Sequence, residues 1–183
     1  MAARTLPHRV QLDSVVVQTE DMAQQFQLDF HAGSLSFRRV GAIAIRTDRN
    51  DFRQLCMFSA QMCTAAQNIW LSREGVRTPD GLVSVDDVCR RLQEAIDRLV
   101  ADPERALGLC GTLQNPAVVD SIVALRSEAG ARGLSIVRDS IPISSPTWPD
   151  ARTATPLVVR CTPSEHDLYA REHFGPMAFV IVA

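Results

Sequence analysis

The chain contains no lysine: all 19 of its basic residues are arginine, set against 21 acidic residues for a net charge of -2. That excludes any mechanism built on a Schiff-base lysine or a P-loop lysine. Aromatic residues make up only 5% of the chain, with a single tyrosine. There is thus no stacking platform for bases, and the arginines are interspersed with acids rather than gathered in a patch, so nucleic acid is not an expected partner. No run approaches the ~18 consecutive apolar residues of a membrane span. The stretch from Met1 to Ser14 lacks the apolar centre of a secretory signal. A membrane is therefore not an expected partner, and the expected location is cytoplasmic. The cysteines number five, an odd count without a C-x-x-C pair, which favours reduced thiols. None of His8, His31, His166 and His173 stands at a zinc-site spacing from a cysteine, so no metal site is predicted. No G-x-G-x-x-G occurs.

What is present is ordinary globular material. With 183 residues, 46% of them hydrophobic and 22% charged, the chain suits one domain or one lobe of a larger enzyme. A chain of this size buries roughly 70% of the surface its unfolded form exposes, enough for a real core. Residues 1–39 are weakly patterned. Val15 to Val17 reads as a short strand, and Glu20 to Asp29 as a helix with Met22, Phe26 and Phe30 on one face. From residue 40 onward the pattern sharpens, and 40–183 reads as one domain. Val40–Ile45 and Asn68–Leu71 read as buried strands. Asp51–Met62 reads as a helix with Phe52, Leu55, Cys56 and Phe58 as its apolar side chains, and Arg73–Gly81 as a polar connection.

Ser84 opens the clearest helix, with Asp86 and Asp87 in its first turn and apolar residues at helical spacing up to Leu99. Asp102-Pro103 reads as its stop, and Leu107–Cys110 as a short strand. Asn115-Pro116 reads as a cap and first residue of a second long helix, with Val119, Ile122 and Val123 on one face and Gly130 at the C-terminal cap. Leu134–Val137, Pro156–Cys161 and Ala178–Val182 read as strands, and the proline-bearing stretch Ile141–Thr155 as a loop. Strands alternating with helices predict a three-layer α/β fold with a mainly parallel sheet. The last strand runs into Ala183, which reads as a lobe completed by other sequence.

Two segments carry chemistry: Phe58-Ser-Ala-Gln-Met-Cys63-Thr-Ala-Ala-Gln-Asn-Ile-Trp70 and Glu172-His-Phe-Gly-Pro-Met177. Together, in this order, they resemble the catalytic domain of the aldehyde dehydrogenase superfamily. Finer segments resemble its phenylacetic acid degradation protein PaaN branch: Gln61–Ile69, Arg73-Glu-Gly, Asn115-Pro-Ala-Val, Ala151–Pro156 and Tyr169–Pro176. The resemblance covers about residues 40–183 and implies an aldehyde-dehydrogenase-like α/β domain. It implies Cys63 as the nucleophile that carries an aldehyde through a thioester to the acid. It further implies NAD or NADP as cofactor, with Glu172 at the ribose hydroxyls and Phe174 near the nicotinamide. The implied substrate is a small-molecule aldehyde, a ring-cleavage semialdehyde or its CoA thioester, and a homo-oligomer is left open.

Cysteine suits this role because a thiolate is a strong nucleophile and a thioester is readily cleaved. From residue chemistry alone, Cys63 reads better as a small buried hydrophobe; the paired motifs reverse that preference. Glu172 also reads as a surface carboxylate, and Phe174-Gly-Pro as a strand-entry turn. Cys56, Cys89, Cys110 and Cys161 lie in apolar runs and read as core. Departures from the family are clear. Ala60 stands where a glycine is usual. The general-base glutamate has no clear counterpart, Asp29 in Leu28–Gly33 being a loose echo of it. The family's dinucleotide-binding domain has no counterpart in the sequence. The alternative to an enzyme is a truncated, non-catalytic relative serving as a folded or interaction module.

Overall fold

The structure, a computed structural model, describes residues 15–18, 53–62, 65, 67–78 and 81–183. The readings at Val40–Ile45, Glu20–Asp29, Asp29 itself and Cys63 lie outside the described residues. Five strands form one sheet in the order β1 (Val15–Gln18), β2 (Asn68–Leu71), β7 (Met177–Val182), β6 (Leu157–Cys161), β5 (Ser135–Arg138). The central strands β2, β7 and β6 run parallel to one another, and the flanking strands β1 and β5 pair antiparallel. This is the mixed α/β fold with a mainly parallel sheet that the alternating pattern predicts.

Side-chain alternation on β7 divides the core in two. Ala178 and Val180 face a cluster built with Val85, Val88, Cys89, Leu92 and Ile96 of α2 (Val85–Val100) and Ala106 and Cys110 of α3 (Pro103–Cys110). Met177, Phe179 and Ile181 face the opposite cluster, with Val118, Ile122, Leu125 and Ala129 of α4 (Ala117–Ala131) and Leu168 and Tyr169 of α5 (His166–Tyr169). Successive strand residues point to opposite faces. A strand covered on both sides must therefore be apolar throughout, and Met177–Ile181 is buried without a break.

The caps explain the helix starts. Ser84 Oγ accepts a hydrogen bond from the Asp87 amide at 3.1 Å, and Asn115 Oδ1 accepts one from the Ala117 amide at 3.0 Å. Several readings are corrected. Asp102-Pro103 does not merely stop a helix; Asp102 Oδ1 accepts from the Arg105 amide at 2.7 Å and starts α3, so Leu107–Cys110 is helical rather than a strand. The face α4 buries is Val118, Ile122, Leu125 and Ala129, while Val119 and Val123 are exposed. Its C-terminal cap is Arg132, followed by Gly133, not Gly130. Gly133 sits at φ 68° while its amide donates to the Gly130 carbonyl and the Leu134 amide to the Ala129 carbonyl, a glycine-closed Schellman turn. The connection Arg73–Gly81 contains a strand, β3 (Val76–Thr78), which forms a small hairpin with β4 (Gly81–Val83).

The proline-bearing loop after β5 has no regular element but is firmly tied. Thr153 Oγ1 donates to the Ile143 carbonyl and accepts from its amide. The buried guanidinium of Arg138 reaches Asp97, the carbonyls of Asp139 and Pro156, and Thr155 Oγ1.

Candidate active site

Because β2 and β7 are parallel and adjacent, the residues that precede them share one end of the sheet. Those residues are the two segments singled out in the sequence. Gln67, four positions after Cys63, makes the connection: its Nε2 donates to the His173 carbonyl and, at 3.0 Å, to the Gly175 carbonyl. Its own carbonyl accepts from the Phe179 amide at 2.8 Å. Next to it, Asn68 Nδ2 donates to the Tyr169 carbonyl at 3.1 Å. Asn68 Oδ1 is buried without a partner among the described residues. A donor from water or ligand at that atom would relieve a cost of about 1–3 kcal/mol.

On the other flank, Gln61 Nε2 donates to the carbonyls of Phe58 and Thr112, and its Oε1 accepts from the Gln114 amide. The segment 112–114 is in turn tied to Arg152, whose carbonyl accepts from the Leu113 amide at 2.7 Å. The Leu157 amide donates to the Pro176 carbonyl at 2.8 Å. Thus Gln61, Gln67–Ile69, Asn115 and its predecessors, Ala151–Pro156 and Tyr169–Pro176 meet at one end of the sheet. Gln61, Gln67 and Asn68 escape a motif reading focused on nucleophiles. Their signal is polarity at the threshold of a buried strand, where an amide must find partners.

The approach to Cys63 is not the helix the sequence reading expects. A single helical turn, α1 (Arg53–Cys56), passes into a 3-10 turn (Met57–Ala60) in which Phe58, Ser59 and Ala60 all have positive φ, 50°, 52° and 51°. Left-handed backbone costs a residue with a side chain roughly 1–2 kcal/mol. Ala60 therefore holds in strained form the position where the resembling family usually has glycine. Besides the Gln61 side chain, two bonds hold the turn: Ser59, fully buried, donates through Oγ to the Cys110 carbonyl at 2.9 Å, and the Gln61 amide donates to the Phe58 carbonyl at 3.1 Å. The ring of Phe58 is turned outward, 56% exposed, rather than into the core.

Glu172 and Phe174 stand exposed on the segment between α5 and β7. Between them, His173 points inward; its ring nitrogen Nε2 lies 2.8 Å from the Leu168 carbonyl and its ring centroid 5.0 Å from that of Phe179. Burial holds the His173 imidazole below its ordinary value. A histidine depressed on folding binds its proton more readily in the unfolded chain. Its contribution is therefore complete above pH ~6.5 and is lost as pH falls from there through the lower folded value. Replacing His173 by Gln is expected to flatten the decline in urea-unfolding free energy as pH falls below about 6.5, where a single group gives at most ~1.4 kcal/mol per pH unit.

Gly175 lies in close contact with α4: a Cβ there would meet Val118 Cγ1 at 2.4 Å. Gly175→Ala is expected to cost about 2 kcal/mol by overpacking, seen as a lower melting temperature with no change in far-UV circular dichroism.

The four described cysteines are buried: Cys56 and Cys110 fully, Cys161 at 2% and Cys89 at 8% exposure, as the apolar runs around them predict. Burial raises the Cys89 thiol and pushes that of Cys161 up to about 12. Among the described residues, no group of histidine, cysteine and acidic side chains is gathered for a metal ion, and no helix is long and apolar enough to cross a membrane.

No protein-family model matches the chain, and no curated protein does. Among solved structures, an NAD-dependent aldehyde dehydrogenase from Burkholderia multivorans is 38% identical with a TM-score of 0.67, over 72% of this chain and 23% of that one. An NAD-dependent benzaldehyde dehydrogenase from Corynebacterium glutamicum is 16% identical with a TM-score of 0.48, over 72% of this chain and 26% of its own. The second likeness is too distant to bear on function. The described fold is thus an aldehyde-dehydrogenase-like α/β layer, and the first likeness supports kinship with the aldehyde dehydrogenase superfamily. The chain spans about a quarter of the length of the structures it matches.

Proposed function

We propose that this chain carries the nucleophile-bearing part of an NAD(P)-dependent aldehyde dehydrogenase, with Cys63 as nucleophile and Glu172 and Phe174 on the cofactor side. The observation that carries the reading is the bond from Gln67 to the carbonyls of His173 and Gly175. It joins the segment that contains Cys63 to the segment that contains Glu172 and Phe174, which are 109 residues from Cys63 in sequence at the nearer end. Support also comes from the 38% identity to the Burkholderia enzyme.

The residues present fit one half of a nicotinamide dinucleotide. Phe174 offers a half-exposed ring face and Glu172 an exposed carboxylate able to accept from ribose hydroxyls, on a backbone held in place by Gln67. The bound dinucleotide supplies the hydride acceptor. In the chain's own chemistry, the Cys63 sulfur adds to the aldehyde carbon and the carbonyl oxygen takes a proton, giving a thiohemiacetal. After oxidation the product is a thioester on the same sulfur, which water cleaves to the acid and the free thiol. Of the segments that resemble the PaaN branch, all but Arg73-Glu74-Gly75 meet at this end of the sheet. Their resemblance to the PaaN branch, not their meeting, is what supports a ring-cleavage semialdehyde of aromatic catabolism, free or as a CoA thioester, as the substrate class.

The test is competitive alkylation of the folded chain with iodoacetamide, followed by peptide mapping. Cys63 is expected to react at least about tenfold faster than Cys56, Cys89, Cys110 and Cys161, and to be slowed by added semialdehyde, because buried thiols are inert. Equal or slower alkylation of Cys63 overturns the nucleophile and leaves the non-catalytic module as the better reading. NAD(P)H formation by this chain alone is expected to be absent. Binding energy from the remote half of the dinucleotide is what holds the hydride geometry, and no described residue has been placed there. Steady turnover that vanishes in Cys63→Ala would overturn that expectation while establishing the nucleophile.

A further inference from the structure

Arg152 stands exposed in the Ala151–Pro156 segment, two bonded steps from the approach to Cys63. Its guanidinium rests on the carbonyls of Leu113 and Gln114, and the Thr112 carbonyl and Gln114 amide are both bonded to the carboxamide of Gln61, two residues before Cys63. The contacts use one edge of the guanidinium. Nε donates to the Leu113 carbonyl at 3.3 Å and Nη2 to the Gln114 carbonyl at 3.4 Å. The other edge, Nη1 with the second hydrogen of Nη2, has no acceptor among the described residues, and Arg152 makes no ion pair with any of them. Arg126, Arg132, Arg138, Arg160 and Arg171, by contrast, are each paired with a carboxylate. Joining the two loops does not explain the side chain. The main chain does that, through the Leu113 amide and the Arg152 carbonyl at 2.7 Å. Ordering a long side chain costs rotamer entropy, and two long bonds to neutral carbonyls leave its charge unneutralised.

We propose that Arg152 is a specificity-determining residue whose open guanidinium edge takes the anionic far end of the substrate while the aldehyde end reaches Cys63. The inference rests on the reading of Cys63 as nucleophile and narrows the substrate to an aldehyde that carries an acid group. The planar fork of Nη1 and Nη2 matches two oxygens of one oxyanion, which a neutral aldehyde cannot offer. A carboxylate and a phosphate both satisfy that fork. The first is the far end of a free semialdehyde, the second belongs to a CoA thioester. The carbonyls on the Nε side hold the plane of the guanidinium, so the open edge is presented in a set direction rather than swinging on its stem. The start of α4 lies three residues beyond Gln114, and its positive end adds to the field felt by an anion there. Binding energy gained at this remote end is available to orient the aldehyde at the sulfur.

The test uses the whole chain and two readouts. In the first, iodoacetamide alkylation of Cys63 is timed in the presence of adipic semialdehyde or hexanal, which have the same chain length and differ in the far carboxylate. In the wild type the semialdehyde is expected to protect at about a tenfold lower concentration than hexanal. In Arg152→Gln the two should protect alike, and Arg152→Lys, which keeps the charge without the fork, should restore part of the preference. Equal protection in the wild type, or a preference that survives Arg152→Gln, would overturn the proposal. The second readout needs no chemistry at sulfur. The Arg152 Nε resonance of Cys63→Ser, identified by its loss on adding Arg152→Gln, is followed by nitrogen-15 NMR during titration with adipate and, separately, with desulfo-coenzyme A. A saturable shift with adipate assigns the site to a carboxylate, and a shift with desulfo-coenzyme A alone assigns it to a phosphate. A shift with neither overturns the proposal. If no aldehyde protects Cys63 in the wild type, the nucleophile falls and the titration alone decides the role of Arg152. Far-UV circular dichroism of Arg152→Gln should match the wild type, because the main-chain bond to Leu113 remains.

Discussion

Phe179→Ala is expected to remove about 4 kcal/mol of stability, the largest loss from any single truncation of the core described above. Burial of a phenylalanine in a closed core and the cavity its removal leaves cost 3–5 kcal/mol. A domain of this size has only about 5–15 kcal/mol in total. Phe179 is fully buried in the middle of β7, the central strand of the sheet. It also carries the site on its back: its amide donates to the Gln67 carbonyl, and its ring lies against the imidazole of His173. The variant should therefore loosen the Glu172–Pro176 segment as well as weaken the fold. Urea unfolding followed by far-UV circular dichroism measures the first effect, and hydrogen exchange of the 173–177 amides the second. Phe179→Leu, which keeps most of the volume, should recover well over half of the loss.

Arg138→Leu is expected to cost about 3 kcal/mol although it puts an apolar residue into a buried site. The reason lies with the partners. Asp97 has half its side chain in water and can be solvated there once the guanidinium is gone. The Pro156 carbonyl has no such escape, and a buried group left without its donor costs about 1–3 kcal/mol; Thr155 Oγ1, also buried, loses one of its donors and keeps the Ile141 amide. Arg138→Lys keeps the charge but not the forked set of donors, so it should recover only part of the loss. The check is chemical unfolding of both variants beside the wild type. If Leu proves as stable as Arg, the hydrogen-bonded loop after β5 does not depend on this side chain.

The elements that could be read from the sequence were those in which local chemistry and burial agree. Ser84, the two aspartates after it and a helical apolar stripe all point to α2, and the continuous apolar run of β7 points to a strand covered on both faces. The misread elements are those in which a short apolar run satisfies two patterns at once. Leu107–Cys110 has the length and polarity of a buried strand, and only the Asp102 cap and Pro103, five and four residues before Leu107, make it the end of a helix. On α4 the apolar residues surround the helix, so Val119 and Val123 could not be told from Val118 and Leu125 until the sheet fixed which side is inward. The left-handed turn at Phe58–Ala60 was illegible for a different reason. None of its residues is a glycine, and the strain is borne by tertiary bonds to Cys110 and Thr112 that no local signal announces. At the candidate site, the two motifs could be read but their meeting could not, because it rests on the one carboxamide of Gln67 reaching across 106 and 108 residues.

Gln67 grips the Glu172–Gly175 segment solely by main-chain oxygens. A carboxamide that recognises carbonyls is indifferent to the side chains borne by the residues it holds. Placement and identity are consequently independent variables along this segment. Glu172 and Phe174, both exposed, are free to be exchanged for other residues without shifting the backbone that presents them. Gln67, through its donors, and Gly175, through its contact with Val118, are not. A lineage or an engineer seeking to change the side chains presented at this end of the sheet would find two open slots on a fixed mount, and would need to leave the mount itself untouched.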